Sequence, residues 1–286
     1  MTLGLAAALA YGTGDFIAGL LSRRISFVAV ALVANTVAWL VMCVALAATW
    51  DGPPTVTAGS WGAASGIGSA LGTLALYRGL ARGPMGVVAP LSALGAAVVP
   101  VLVGVVTGDR PAPAAWAGVA LALPAIWLVS TQDPGRADAR AIRPGRQAGG
   151  ILDGLLAGLG FGLLFVALDR AGDGSGLWPV VAGQATSTVL LAGVAARGLS
   201  GAGDRRGVTR GGIMAAVGVG VLGAAATTCY FLSTHAGMLA IVAVVTSLYP
   251  AVTVVLAALL LHERVRRSQG AGLLLALAAV TLIVLG

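Results

Sequence analysis

The chain has 286 residues, of which 58% are hydrophobic and 9% are charged, and its formal net charge is +7. One water-soluble core of this length could not bury so much apolar surface, so the composition excludes an ordinary soluble domain. The apolar runs are about 17 to 25 residues long, which suits helices that cross a bilayer. They lack the alternation over about ten residues that is typical of outer-membrane barrels. The sequence therefore predicts an all-α integral membrane protein.

Ten membrane-spanning helices are predicted in chain order. Crossing the hydrocarbon takes about 20 apolar residues, and ten segments approach this length. The predicted spans are 3–21, 27–50, 59–81, 84–107, 114–130, 149–168, 177–197, 211–234, 238–261 and 269–285. The fifth is short and contains Pro124, and the seventh carries a polar cluster of Gln184, Thr186, Ser187 and Thr188. Both are kept because they lie opposite well-defined partners in an internal repeat.

That repeat joins the fourth and fifth spans to the ninth and tenth. Val87–Ser130 recurs without a gap as Ile241–Val284, at a constant shift of 154 positions. The shift places Asp109 on Glu263, and an arginine follows each acid. Apolar identities arise easily in so hydrophobic a chain, so the acid-arginine pair is the more informative match. The repeat makes the chain two homologous halves.

The spacing of the repeat also predicts how the halves are oriented. Five spans separate equivalent helices, and an odd number means that the second half enters the membrane from the opposite face. The sequence therefore predicts two inverted five-helix repeats, at 1–130 and 149–286, joined by a cytoplasmic linker at 131–148. Both termini are then expected outside.

The arginines test this topology independently. All 17 basic residues are arginine, and 15 of them fall on one predicted side, whereas only Arg110 and Arg170 lie on the other. Under the positive-inside rule the arginine-rich side is cytoplasmic. The expected location is the cytoplasmic (inner) membrane of a bacterium. These arginines lie in short loops and form no stripe or groove, so no nucleic-acid partner is expected.

Cysteine and histidine are too few for most site chemistry. Cys43 and Cys229 lie inside predicted spans, where a reduced cysteine acts as a small hydrophobic residue. His235 and His262 have no neighbours at the spacing of zinc ligands. No metal and no other cofactor is therefore predicted.

Glycine recurs every four residues in two spans. The stripes are Gly62 with Gly66, Gly68 with Gly72, and Gly150, Gly154, Gly158 and Gly162. Such stripes allow close contact between helices, and helices in close contact can also slide. Gly218, Gly220 and Gly223 match G-x-G-x-x-G, but they follow no strand, so they are assigned to packing and not to a dinucleotide site.

Proline marks candidate hinges in the equivalent spans four and nine. Pro90 and Pro100 lie in the fourth span and Pro250 lies in the ninth. Each removes one helix hydrogen bond and permits a kink. We expect both spans to bend.

Asp15 is the most costly residue to place in the membrane. It lies about 12 Å from Arg23 along the first helix, and inserting an ionised carboxylate costs about 3 kcal/mol. Two compatible interpretations are open. Asp15 binds a proton or the cationic part of a solute, or it forms a buried ion pair with Arg78 that opens and closes as a gate.

Other polar and aromatic side chains are expected to surround a cavity between the halves. A buried tyrosine needs a partner for its hydroxyl, so it either bonds across helices or lines a wet cavity. Besides Asp15 and Arg78, the candidate substrate- or proton-binding residues are Tyr11, Tyr77, Ser92, Phe161, Phe165, Tyr230, Thr246 and Tyr249. Ser69, Thr73 and Ser247 accompany them. An apolar wall with scattered hydroxyls suits a small organic solute better than a bare ion.

Two motifs resemble a known family. Ser247-Leu248-Tyr249-Pro250, followed by Leu259-Leu260-Leu261-His262-Glu263-Arg264, is similar to the second-repeat signature of the drug/metabolite transporter superfamily, EamA type. A weaker counterpart runs from Gly83-Pro84-Met85 to Asp109-Arg110-Pro111. The resemblance covers essentially the whole chain. It implies ten helices in two inverted repeats, with a central cavity lined by helices one, three, four, six, eight and nine.

The resemblance also implies a class of function. Members of this family carry amino acids, drugs, purines, quaternary amines and nucleotide sugars. Gly108-Asp109 and His262-Glu263 stand where Gly-Glu is usual, but both keep the acid, which indicates a structural role at a helix end. The specific substrate does not follow from these motifs.

The expected function is secondary transport by alternating access across a central cavity. The expected direction is export, and the expected cargo is small organic metabolites such as amino acids, amines or drug-like solutes. No ATP-binding loop is present in the sequence, so transport is either facilitated diffusion or coupled to protons, with Asp15 as the candidate carboxylate. A non-transporting membrane scaffold and an intramembrane enzyme are less favoured alternatives. The enzyme would need clustered reactive groups, which the isolated Asp15 does not supply.

Overall fold

The chain folds into eleven helices, with no strand, in the residues that the computed structural model describes. These residues are 2–22, 25–50, 52–82, 85–130, 144–172, 174, 176–197, 210–261 and 266–285. The helices are α1 Thr2–Ser22, α2 Phe27–Ala48, α3 Val56–Arg82, α4 Met85–Thr107, α5 Pro113–Ser130, α6 Pro144–Arg170, α7 Trp178–Ala196, α8 Arg210–Thr234, α9 Leu239–Thr246, α10 Tyr249–Leu260 and α11 Arg267–Leu285.

Most of these helices suit a membrane by length and composition. Within the described residues, seven stretches qualify as spans, in α1, α2, α6, α7, α8 and α11 and in α9 and α10 taken together. Two shorter apolar stretches lie in α4 and α5. Large apolar side chains also face outward, among them Val44, Val106 and Leu274. An exposed surface this apolar matches lipid rather than water.

The helix boundaries repeat the 154-position shift of the sequence. α4 begins at Met85 and α9 at Leu239, while α5 begins at Pro113 and α11 at Arg267, so both pairs of starts differ by 154. Packing partners also exchange between the halves. α3 lies against α6 and α7, whereas α8 lies against α1 and α2, and α5 packs on α11. Each half thus supplies the packing surface of the other.

The predicted ninth span, 238–261, contains two helices instead of one. α9 ends at Thr246 and α10 begins at Tyr249, and between them the N–H of Leu248 donates to the carbonyl of Val245, three residues back. Pro250 lies in the first turn of α10, where its missing N–H and fixed φ favour the start of a helix. The break therefore follows from the proline.

The equivalent helix α4 is continuous. It runs from Met85 to Thr107 and contains both Pro90 and Pro100. Pro100 is buried, and the side chain of Pro90 lies outside the described part of the chain. The two halves therefore differ at this position, because the bend expected in the ninth span is a full interruption and α4 has none.

Glycine brings the backbone of α6 against α3 and α4. A Cβ atom added at Gly158 would lie 2.8 Å from the Cα of Gly95, and one at Gly160 would lie 2.5 Å from the amide nitrogen of Gly72. Carbon atoms in packed interiors do not approach so closely, so larger residues would push the helices apart. The predicted close contacts are confirmed at Gly154, Gly158 and Gly162 of the α6 stripe.

Three glycines of α8, Gly218, Gly220 and Gly223, differ in how closely other residues approach them. A Cβ at Gly220 would lie 2.5 Å from the carbonyl oxygen of Ala34 on α2. Gly218 and Gly223 have no described neighbour within 4 Å of such an atom, and Gly223 lines the central cavity. The assignment of all three glycines to packing was therefore wrong for two of them.

Helices α1 and α8, which pack between the halves, run in opposite directions. On α1 and α8, Gly4 lies near Ser233 and Tyr11 meets Thr227, so residue numbers rise on one helix as they fall on the other. The end of α1 and the start of α8 therefore share one end of the bundle.

The described arginines concentrate at that same end. Helix ends and starts there carry Arg78, Arg197, Arg210, Arg266 and Arg267. We call it the arginine-rich end. Arg110 follows α4 and Arg170 closes α6 at the opposite end.

Candidate functional site

A cavity lies in the middle of the bundle, between the two halves. Its empty volume is about 900 Å³, including the part that is open to the surroundings, and α1, α2, α3, α6, α7, α8 and α10 form its wall. Six of the residues predicted from the sequence line it, namely Tyr11, Asp15, Tyr77, Phe161, Phe165 and Tyr249. Ser69 and Thr73 also line it. The packing of the halves therefore brings together side chains from both repeats.

The cavity extends toward the arginine-rich end. On α2 its lining begins at Ala31, one turn after the helix starts, and on α3 it reaches Tyr77, close to the last turn. Toward the opposite end the helices close on each other. Every residue of α9, Leu239–Thr246, is buried, and the carboxylate of Asp109 accepts a hydrogen bond of 2.9 Å from the backbone N–H of Ala240.

Asp15 supplies the only formal charge among the lining residues that the structure describes. Its carboxylate makes no ion pair and no hydrogen bond with any described residue, and its side chain is partly exposed in the cavity. An ionised carboxylate inside an apolar bundle is stabilised only by a cation, a hydrogen-bond donor or water. Asp15 is therefore available to a solute or to a proton.

Arg78 pairs with Asp153 and not with Asp15. Its Nε and Nη2 atoms both donate to Oδ1 of Asp153, at 2.9 and 2.6 Å. Asp153 lies on α6 and is 7% exposed, so the pair joins α3 to α6 beside the cavity, and neither residue lines it. The interpretation of Arg78 as the partner of Asp15 is thus contradicted by this geometry. A second carboxylate within a predicted span was the signal that could have identified Asp153.

Aromatic rings form one side of the cavity. The ring centroid of Tyr11 lies 6.3 Å from that of Phe165 and 6.5 Å from that of Tyr249. Behind this wall, the ring of Tyr230 stacks on Phe165 at 4.2 Å, and its hydroxyl donates to the carbonyl of Phe165. Tyr230 is fully buried and does not line the cavity, so it supports the wall.

Three polar lining residues were not predicted as site residues: Asn35, Gln184 and Thr227. The hydroxyls of Tyr11 and Thr227 are hydrogen bonded at 3.0 Å, and Thr227 donates to the carbonyl of Gly223. Polar residues inside predicted spans were available as a signal for all three. In the sequence, Gln184 belongs to the polar cluster of the seventh span.

Asn35 is held by partners within the protein. Its Oδ1 atom accepts from the Ser187 hydroxyl at 3.0 Å, and its Nδ2 atom donates to the carbonyl of Ala31 at 3.0 Å. These bonds fix the amide against α7 and against its own helix. Asn35 therefore contributes a polar surface whose orientation is set before any solute binds.

Two predicted site residues, Ser92 and Thr246, lie outside the cavity lining. They occupy equivalent positions in the repeat and are both fully buried, on α4 and α9, which pack on each other outside the cavity lining. Ser247 is buried at the end of α9. Pro250 adjoins the lining residue Tyr249, so one of the three predicted hinges is next to the cavity. The hinge roles stay predictions.

Comparison with known proteins places this architecture in a family. Residues 1–131 and 148–285 match the sequence profile of the EamA-like transporter family. A solved structure described only as "Crystal structure of protein" has a similar fold, with a TM-score of 0.79 and 16% identity over 99% of this chain and 96% of that one. No curated protein matches the sequence. The two matched segments fall on the two halves that exchange packing partners, and this chain belongs to the EamA-like transporter family, whose members are multi-pass membrane transporters of the drug/metabolite type.

Proposed function

We propose that the protein is a secondary transporter that moves small organic solutes across the cytoplasmic membrane by alternating access. The family supports transport, and an apolar-walled cavity with a few polar groups suits small organic molecules. Amines, amino acids and drug-like solutes are the candidate cargo. Export is the proposed direction, because it is common among members of the family.

The proposed topology is ten spans in two inverted repeats, at 1–130 and 149–286, with both termini outside. The eleven helices correspond to ten spans because α9 and α10 together form one apolar stretch, Leu239–Leu260. The shared 154-position register and the exchange of packing partners support the repeat. The arginine-rich end is then cytoplasmic under the positive-inside rule.

In this topology the described cavity faces the cytoplasm, which is the side from which an exporter collects its solute. The opposite end is closed by the buried helix α9 and by the bond from Ala240 to Asp109. Transport then requires the halves to rock so that this end opens. The break before Pro250 supports a hinge there, with Pro90 and Pro100 as candidate hinges in α4.

The observation that carries the proposal is Asp15, a cavity carboxylate without a partner among the described residues. It can hold the cationic part of a solute, and the tyrosine and phenylalanine rings that line the same cavity favour a cation as well. It can also hold a proton. The two roles together would couple solute export to proton entry, whereas binding without proton exchange would give facilitated diffusion.

Transport in proteoliposomes tests the proposal. Solutes are first chosen by thermal-shift screening of amino acids, amines and drug-like cations, and uptake is then followed with and without a pH gradient. Asp15→Asn should lower transport of cationic solutes at least about tenfold, since a charged hydrogen bond contributes on the order of 1.5–3 kcal/mol. The control is Asp169→Asn, which removes a carboxylate that pairs with Arg170 at 3.7 Å, outside the cavity.

The outcomes separate the alternatives. Unchanged transport and unchanged pH dependence in Asp15→Asn would rule out its coupling role. Stabilisation by anionic solutes alone would contradict cation binding at Asp15. A protein that neither binds nor moves any solute would favour a membrane scaffold over a transporter.

A further inference from the structure

Besides Asp15, the amide side chain of Gln184 lines the cavity without a hydrogen-bond partner among the described residues. Gln184 on α7 lines the cavity and is 8% exposed. Its amide makes no hydrogen bond with any residue that the structure describes, whereas both amide atoms of the nearby Asn35 are hydrogen bonded. The amide atoms are not enclosed by the protein and open into the cavity. The amide of Gln184 is therefore free to pair with a group of a solute inside the cavity.

The chemistry of the amide narrows the choice of that partner. A carboxamide has two N–H donors and one carbonyl acceptor. A carboxamide or a hydroxyl on a solute can donate and accept at the same time, and so can satisfy both kinds of group. An ammonium only donates and a carboxylate only accepts. Gln184 is best matched by a neutral polar group.

The charges of the lining residues also favour a neutral group at Gln184. No arginine, lysine or histidine is found among the lining residues in the described part of the chain, and the nearby Arg78 is bound to Asp153. A carboxylate placed at Gln184 would therefore lack a counter-charge and would share the cavity with the like charge of Asp15. The cavity thus offers one position for a cation and one for a neutral group.

We propose that Gln184 is a specificity-determining residue that recognises a neutral carboxamide or hydroxyl on an organic cation whose ammonium group lies at Asp15. This rests on the proposed function and narrows its substrate class. The preferred solute is a monocation with a neutral hydrogen-bonding group and an apolar body, which packs on the rings of Phe161 and Phe165. Zwitterionic amino acids are disfavoured.

Four compounds with the same phenyl body test this assignment. Phenylalaninamide and phenylalaninol carry an ammonium and a neutral polar group, phenethylamine carries the ammonium alone, and phenylalanine is a zwitterion. Affinities are measured by titration calorimetry on the purified full-length protein. The amide and the alcohol should bind about tenfold or more tightly than phenethylamine, because a site built for a hydrogen bond rejects analogues that lack it. Phenylalanine should bind more weakly than the amide and the alcohol.

Gln184→Met removes the amide at similar volume and should reduce the preference for phenylalaninamide over phenethylamine to about one, while phenethylamine binds as before. The matched control is Gln269→Met, which makes the same change on α11 at a residue that accepts from the backbone N–H of Arg266. This control should keep the preference. If Gln184→Met does not fold, the ranking of the four compounds on the wild-type protein still decides the question.

Four results would overturn the assignment: equal binding of all four compounds, tighter binding of phenylalanine than of its amide, an unchanged preference in Gln184→Met, or binding of none of the four compounds. Equal binding together with transport of the amines would leave the proposed function intact and remove only the role of Gln184. Failure of every solute in the transport assay would instead count against the proposed function.

Discussion

Removing the guanidinium of Arg78 should destabilise the fold through Asp153. In Arg78→Met the carboxylate of Asp153 loses donors at 2.9 and 2.6 Å and stays buried, because its side chain is 10% exposed. Breaking a fully buried pair costs about 3–5 kcal/mol. The Arg78 side chain is 44% exposed, so water screens the pair and lowers this value. We expect a loss of about 2 kcal/mol, near the value for one charged hydrogen bond.

Thermal unfolding in detergent, followed by size-exclusion chromatography with fluorescence detection, measures this loss. A change of about 2 kcal/mol corresponds to a fall in Tm of roughly 4–8 °C for a chain of this size. Asp153→Asn should also destabilise, and the double variant Arg78→Met with Asp153→Asn should lose about 1–2 kcal/mol less than the sum of the single changes. The comparison variant combines Arg78→Met with Asp15→Asn.

The comparison variant distinguishes Asp153 from Asp15 as the partner of Arg78. If Arg78 acts through Asp153, replacing Asp15 should add its own effect without relieving the loss. Relief by Asp15→Asn, with none from Asp153→Asn, would mean that Arg78 and Asp15 form the working pair. Strict additivity of all three changes would mean that no pair contributes to stability.

Three further changes have distinct expected outcomes. Gly220→Ala should lower Tm, since its Cβ would lie 2.5 Å from a backbone oxygen. Gly218→Ala places its Cβ in open space and should be neutral or stabilise the fold by up to about 1 kcal/mol. Equal effects of the two changes in thermal unfolding would contradict this contrast. Asp109→Ala should cost about 1 kcal/mol by removing the acceptor for the N–H of Ala240, and Asp109→Asn should cost less. Tyr230→Phe should cost about 1 kcal/mol and leave solute selectivity unchanged, since this hydroxyl bonds to the backbone behind the cavity wall.

Much of the fold could be predicted from the sequence because helices in lipid satisfy their own backbone hydrogen bonds. The span predicted at 84–107 corresponds to α4, Met85–Thr107, and the span at 211–234 corresponds to α8, Arg210–Thr234. The break at Pro250 was signalled by the proline but not by hydropathy, since α9 and α10 form one apolar run. The shift of 154 positions places Pro250 on Ala96, so the sequence has no proline at the equivalent point of α4, and α4 keeps its helix across Pro100 four residues later.

The site was less predictable because these helices are apolar on all sides. Residues such as Asp15 could be identified by the cost of burying them, but no polar face indicates which way a helix is turned. Ser92 and Tyr230 therefore looked equivalent to Tyr11 in the sequence, although the structure buries the first two outside the cavity lining. Gln184 could have been identified in the same way as Asp15, since an amide in hydrocarbon also needs a hydrogen-bond partner.

The hydrogen bond between Tyr11 and Thr227 has a direction that matters for the solute. Thr227 has one hydroxyl hydrogen and donates it to Gly223, so the hydrogen shared with Tyr11 must come from the tyrosine. The Tyr11 oxygen then offers the cavity only lone pairs, as does the ionised carboxylate of Asp15. A primary ammonium brings three hydrogens to such a surface, while a quaternary ammonium of equal charge brings none. The orientation of the Thr227 hydroxyl thus favours a primary over a quaternary ammonium, although both carry the same charge.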